Sequence, residues 1–137
     1  MTSKVLCPTD GAAHSAQAVI TAAELAAKFG AELYICVVNV AHGGGRGPLI
    51  HHWPDAEAQQ ILDVATKLAA DHGVKAAHTA IVIDREAASG IVGFAETHGI
   101  DHIVMGTGDK KGISRLMLGS VAADVSARAH CSVTVAR

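Results

Sequence analysis

Large side chains are scarce in this chain. Only 3% of its 137 residues are aromatic although half are apolar, so the core has to be assembled from Ala, Val, Ile and Leu. Small aliphatic side chains suit helices lying close on a buried parallel sheet. An excess of one charge is lacking too. The formal net charge is −2 with acids and bases interspersed, and no basic face or run of like charge asks for nucleic acid or an anionic membrane. No apolar run approaches the roughly 20 residues that span a bilayer. Met1-Thr2-Ser3-Lys4 runs straight into a strand-like segment, without the apolar stretch of a signal peptide. The three cysteines, Cys7, Cys36 and Cys131, form no CxxC pair and each lies in a β-rich run. Buried small hydrophobes are expected there rather than a disulfide framework or a metal site. Together these absences point to one reduced, cytoplasmic domain over residues 1–137, long enough to bury its own core.

What is present is alternation. Lys4 to Pro8 reads as a strand stopped by Thr9-Asp10-Gly11. From Ala12 to Phe29 the spacing becomes helical, with Val19, Ala22, Leu25, Ala26 and Phe29 on one face and Gly30 as the stop. Leu33 to Val40 is a strand covered on both faces. Ala41 to Trp53, with Gly43-Gly44-Gly45, Pro48 and three histidines, is the one irregular stretch and reads as a mobile loop, with Trp53 as its anchor on the body. A second helix runs from Pro54 to His72, with Ile61, Leu62, Ala65, Leu68 and Ala69 as its buried stripe. A strand follows from Ala77 to Ile83 and a helix from Arg85 to His98, in which Gly90 and Gly93 are expected to permit close packing on the sheet. Ile100 to Met105 is a fourth strand, Val121 to Ala129 a last helix and Ser132 to Ala136 a fifth strand. Such alternation predicts an α/β fold: a single doubly wound domain with a five-stranded parallel sheet and helices on both faces.

Ligands of such sheets bind beyond the carboxyl ends of the strands, where the strand order reverses. The segments to read together are therefore Pro8-Thr9-Asp10-Gly11, Val38-Asn39-Val40 and Gly106 to Val121. Glycines after a strand, here Gly106 and Gly108, let backbone amides approach phosphate oxygens without a Cβ in the way. Ser120 reads as the N-cap of the last helix, whose first amides have no partner within it. A phosphate there meets free donors and the positive end of the helix dipole. An ordinary glycine-rich turn with a capping serine is the alternative. The pattern is neither GxGxxG nor GxxxxGK[ST].

Val5-Leu6-Cys7-Pro8-Thr9-Asp10-Gly11, Phe29-Gly30-Ala31-Glu32-Leu33, Ile103-Val104-Met105-Gly106-Thr107 and Leu118-Gly119-Ser120-Val121 together resemble the universal stress protein family. The resemblance covers essentially the whole chain. It implies strand order 3-2-1-4-5, a homodimer through the C-terminal strand, and a division between members that bind ATP and members that do not. The ATP-binding members carry G-x-x-G, nine residues, then G-[ST]. Gly106 fits the first glycine and Gly119-Ser120 fit the end, but Asp109 stands where the second glycine belongs. A carboxylate beside a triphosphate adds repulsion, roughly 4 kcal/mol per charge pair at about 4 Å and an effective dielectric of about 20. Lys110, Lys111 and Arg115 bring compensating charge to the same loop, and Gly112 keeps it pliable, so weakened binding is expected. By the same resemblance Asp10 approaches the ribose, Pro8 and Val38 border the adenine, and Gly119, Ser120 and Val121 hold phosphates. Asp10 as a plain cap of the first helix, with Gly11 as its first residue, is the open alternative.

The candidate ligand residues are thus Pro8, Thr9, Asp10, Val38, Met105, Gly106, Gly108, Asp109, Gly119, Ser120 and Val121, for ATP or AMP, with Asp10 or Asp109 in reach of a phosphate-bound Mg²⁺. Nine histidines invite a metal hypothesis. Yet His98 and His102 straddle a helix–strand junction, and no HExxH or Cys/His cluster occurs. Ser15 and Ser89 lack a nucleophile-elbow context, no Ser–His–Asp arrangement follows from spacing, and no catalytic residue is assigned. Two functional readings remain. One is a nucleotide-responsive regulatory module with little or no turnover, at most a slow ATPase. The other is a nucleotide-free dimeric adaptor for an unknown protein partner.

Overall fold

Short aliphatic runs separated by amphipathic stretches produce strands and helices in strict succession. A computed structural model describes residues 2–108 and 118–137. The elements are β1 (Lys4–Pro8), α1 (Ala13–Phe29), β2 (Glu32–Gly43), β3 (Leu49–His51), α2 (Asp55–Asp71), β4 (His78–Asp84), α3 (Ala87–Thr97), β5 (His102–Gly106), α4 (Ser120–Arg128) and β6 (Ser132–Ala136). Five strands run parallel in the order β4-β2-β1-β5-β6. Counted without β3, that is the expected 3-2-1-4-5.

Among the described residues the strand count is six, not five. β3 pairs antiparallel with the far end of β2, Ala41 opposite His51 and Gly43 opposite Leu49, so the stretch expected as an irregular loop is a β-hairpin. Gly43, Gly44 and Gly45 all have positive φ, which turns the chain at little steric cost. The Arg85 guanidinium donates to the Gly43 carbonyl at 3.0 Å and ties the hairpin to the start of α3. Fully buried Asn39 holds its base: its amide nitrogen donates to the Trp53 carbonyl and its oxygen accepts from the Trp53 amide, both at 2.9 Å. Trp53 packs against the core as the expected anchor.

Alternation along the strands splits the core into two layers. Val5, Cys7, Leu33, Ile35, Val37 and Val104 face α1 and α2, which contribute Ala18, Val19, Ala22, Ala26, Leu62 and Ala65. Leu6, Cys36, Val38, Ile103 and Met105 face α3 and α4, which contribute Ile91, Val92, Ala95, Ala122 and Val125. Phe29, expected on the buried face of α1, is exposed as the last helical residue before Gly30. Gly90 behaves as expected: a Cβ there would stand 2.9 Å from a Val38 methyl. Gly93 does not, since it faces open space. Among the described residues, no helix is long and apolar enough to cross a membrane.

Candidate functional site

From β1 the chain winds outward to β2 and β4 on one side, then returns to build β5 and β6 on the other. The order therefore reverses between β1 and β5, and the carboxyl ends of these neighbours part around a cavity of about 330 Å³. That size lies within the range of small-molecule sites, about 300–1,000 Å³. Ten sequence-predicted residues line it: Pro8, Thr9 and Asp10 after β1, Val38 on β2, Met105, Gly106 and Gly108 at β5, and Gly119, Ser120 and Val121 at the start of α4. Asp109 lies outside the described residues, as do Lys110, Lys111, Gly112 and Arg115. The cavity also brings in Ala12, His14, Ser15, Ala87, Ile91, Thr107 and Ala122, none of which the sequence singled out as a ligand residue. Val38, Ile91, Met105 and Ala122 give the cavity an apolar wall, and Asp10 and the α4 terminus bring polar groups to it.

Asp10 does not cap α1. The helix begins at Ala13 with Ala12 at the N-cap position, and Gly11 stands outside it at φ +82°. Instead the carboxylate closes a local turn. Its Oδ1 accepts from the Ala12 amide at 2.9 Å and from the Ser15 hydroxyl at 2.7 Å, while Oδ2 lies 3.2 Å from His14 Nε2. Burial pushes the Asp10 carboxyl upward, but the Ala12 amide, the Ser15 hydroxyl and His14 together outweigh it and hold the group below its ordinary value. Asp10 therefore stands in the cavity wall as a carboxylate.

The two motif glycines have packing reasons of their own. A Cβ on Gly106 would lie 2.5 Å from His14 Nδ1 and 2.9 Å from the His14 carbonyl oxygen, so the first turn of α1 occupies the space a side chain would need. A Cβ on Gly119 would collide with the Thr107 carbonyl oxygen. Gly119, not Ser120, is the N-cap residue of α4, and Ser120 is its first helical residue without a side-chain cap bond. The expectation of a capping serine is thereby corrected. The Ala123 amide bonds the Gly119 carbonyl, whereas helix geometry gives the amides of Ser120, Val121 and Ala122 no acceptor inside the helix. All three residues line the cavity.

Ser15, Asp10 and His14 meet here, the three residue types of a hydrolytic triad, but in the wrong order. The serine bonds the carboxylate directly and the imidazole sits on the other oxygen. No base faces the hydroxyl, which is buried, so the trio orders a carboxylate rather than activating a nucleophile. Cys7 and Cys36 are fully buried on opposite faces of the sheet. Burial pushes the Cys36 thiol up to about 12 and the Cys7 thiol higher still, as inert packing groups require. Cys131 is only partly buried. His98 stacks on Phe94, His102 bonds Thr134, and His52 packs edge-on to Trp53. Among the described residues no three metal-ligating side chains converge.

The model of the universal stress protein family matches residues 1–137. The chain is 40% identical over 140 residues to universal stress protein MJ0531 of Methanocaldococcus jannaschii, covering 98% of this chain and 81% of that one. It is 33% identical over 150 residues to universal stress protein YxiE of Bacillus subtilis, covering 100% of both. Its fold is similar to that of a universal stress protein in complex with cAMP, with a TM-score of 0.79, 26% identity, and coverage of 99% of this chain and 97% of the other.

Proposed function

The chain belongs to the universal stress protein family, and from that premise we propose that it is a cytoplasmic, single-domain regulatory module that binds ATP or AMP in the β1–β5 cavity. The observation that carries this reading is one cavity with an apolar wall, an anchored carboxylate and a helix N-terminus that, among the described residues, has no side-chain cap. Those three parts suit a base, a sugar hydroxyl and a phosphate chain respectively. Adenine lies beside Pro8 and Val38, the ribose reaches Asp10, and the phosphates meet the first amides of α4 with Gly106, Gly108, Gly119, Ser120 and Val121. Thr9 and Met105 complete the wall. The cAMP held by the 26% identical relative supports an adenine nucleotide as the ligand class.

Asp10 carries the ribose contact and, with Asp109, is within the reading a candidate to meet a phosphate-bound Mg²⁺. Turnover is slow or absent, since the Ser15 hydroxyl is committed to Asp10. Nucleotide binding alters the surface around the cavity mouth, where Val121 is exposed, and a protein partner reads that change. The module works as a homodimer paired through β6, which forms one edge of the sheet.

Calorimetric titration with ATP and Mg²⁺ tests the binding. The expected result is one saturable site per chain, lost in Gly119→Ala, whose methyl group collides with the Thr107 carbonyl. Asp109→Gly is expected to strengthen binding by removing the added repulsion. No heat in either the parent or the Asp109→Gly protein refutes nucleotide binding and leaves the nucleotide-free dimeric adaptor.

A further inference from the structure

We infer that His14 is a positioning residue of this site, fixing the second oxygen of Asp10 so that the carboxylate offers one remaining acceptor position to a sugar hydroxyl. The inference rests on the nucleotide-binding reading and assigns a role to a residue outside the family motif. It begins from an oddity: among the described residues, buried His14 Nδ1 has no hydrogen-bond partner. The ring is wedged against Gly106, at the spot where a side chain on that residue would stand 2.5 Å from Nδ1. Its other nitrogen, Nε2, faces Asp10 Oδ2 at 3.2 Å.

In the neutral ring, the geometry assigns the proton to Nε2. A bare imidazole nitrogen facing a carboxylate would set lone pair against lone pair, so the neutral ring donates Nε2–H to Oδ2 and leaves the Nδ1 lone pair buried. The fold thus tolerates an unmatched acceptor in order to keep the ring on Asp10. A carboxylate has about four lone-pair positions. The Ala12 amide and the Ser15 hydroxyl occupy both on Oδ1, and His14 takes one on Oδ2. The Asp10 side chain is half exposed and lines the cavity, and among the described residues no other group takes the last position, which is offered to a ligand. One position accepts one hydroxyl: the site takes a sugar hydroxyl singly and does not clamp a vicinal diol through both oxygens.

Affinities for ATP and for 2′,3′-dideoxy-ATP, measured on the intact chain and on His14→Leu and His14→Gln, test this. Wild type is expected to prefer ATP by about ten- to a hundredfold, the effect of one hydrogen bond to a charged group. In His14→Leu the two ligands should bind within about threefold of one another, because the freed carboxylate no longer points at the sugar. His14→Gln, whose amide can donate to Oδ2, should restore most of the preference. Equal weakening of both ligands in His14→Leu, or an unchanged preference, overturns the role of His14 while leaving nucleotide binding intact. A wild type that binds neither ligand sinks the nucleotide reading and this inference with it. Should the variants fail to fold, the imidazole ¹⁵N spectrum of the wild type decides: the Nε2–H tautomer supports the assignment and the Nδ1–H tautomer refutes it.

Discussion

Gly106 shows how one residue can have a second reason to be glycine that the sequence does not display. From the sequence, a glycine after a strand at the carboxyl edge suggests close approach of a phosphate. In the fold its missing side chain first of all makes room for His14, a neighbour far away in sequence that no spacing rule could supply. Gly119 likewise leaves room for a backbone group, the Thr107 carbonyl, here from the same β5–α4 connection. The roles of Asp10 and Ser120 shifted for a related reason. Helix starts are uncertain by one or two residues, and here α1 starts at Ala13 and α4 at Ser120, which changes who caps what. Gly106→Ala is expected to cost about 1–3 kcal/mol, as overpacking of a filled site does. Urea unfolding with an unchanged slope and a lowered midpoint is the expected readout, and an unchanged midpoint would contradict the wedge.

Among the elements, helices and strands were readable because a period of 3.6 or an unbroken aliphatic run survives without knowledge of neighbours. The hairpin was not. Its strand β3 is three residues long, and glycine, proline and histidine dominate the stretch from Gly43 to His52, so no alternation signals a strand. The clamp that holds its base, Asn39 on the Trp53 backbone, depends on a polar residue buried in an apolar strand. Sequence alone shows that residue only as an interruption. The paired glycines of α3 make the complementary point. Gly90 lies against Val38 and the Cβ of Asp84, whereas Gly93 is exposed with nothing near. Gly93→Ala should therefore stabilise the protein by about 0.5–1 kcal/mol through helix propensity alone. Gly90→Ala should destabilise it by about 1–3 kcal/mol through overpacking. Thermal unfolding of the two variants side by side checks the signs, and equal shifts would show that α3 does not sit on β2 as described.

For the whole molecule, alternation foretold a parallel sheet covered on both faces. The rule that ligands bind where strand order reverses pointed to the segments around the cavity, and the family resemblance implied the individual residues within them, ten of which line it. What the sequence could not supply was contact between distant elements: the register of one strand on the next, and the side chains that α1 and α3 lend to the cavity. The two end strands of the parallel sheet, β4 and β6, each pair with a single strand among the described residues, and exposed edges invite pairing. If β6 pairs with its twin, sedimentation at tens of micromolar gives twice the chain mass; a strict monomer contradicts the dimer without touching the cavity. A backbone amide correlation spectrum of the ¹⁵N-labelled protein, recorded as ATP and Mg²⁺ are added, bears on the cavity itself. Binding there predicts saturable shifts concentrated on Thr9, Asp10, Val38, Gly106, Gly108 and the Gly119–Ala122 amides, with the α1–α2 side of the sheet quiet. A spectrum unmoved by millimolar ATP, or shifts gathered away from the β1–β5 junction, contradicts it.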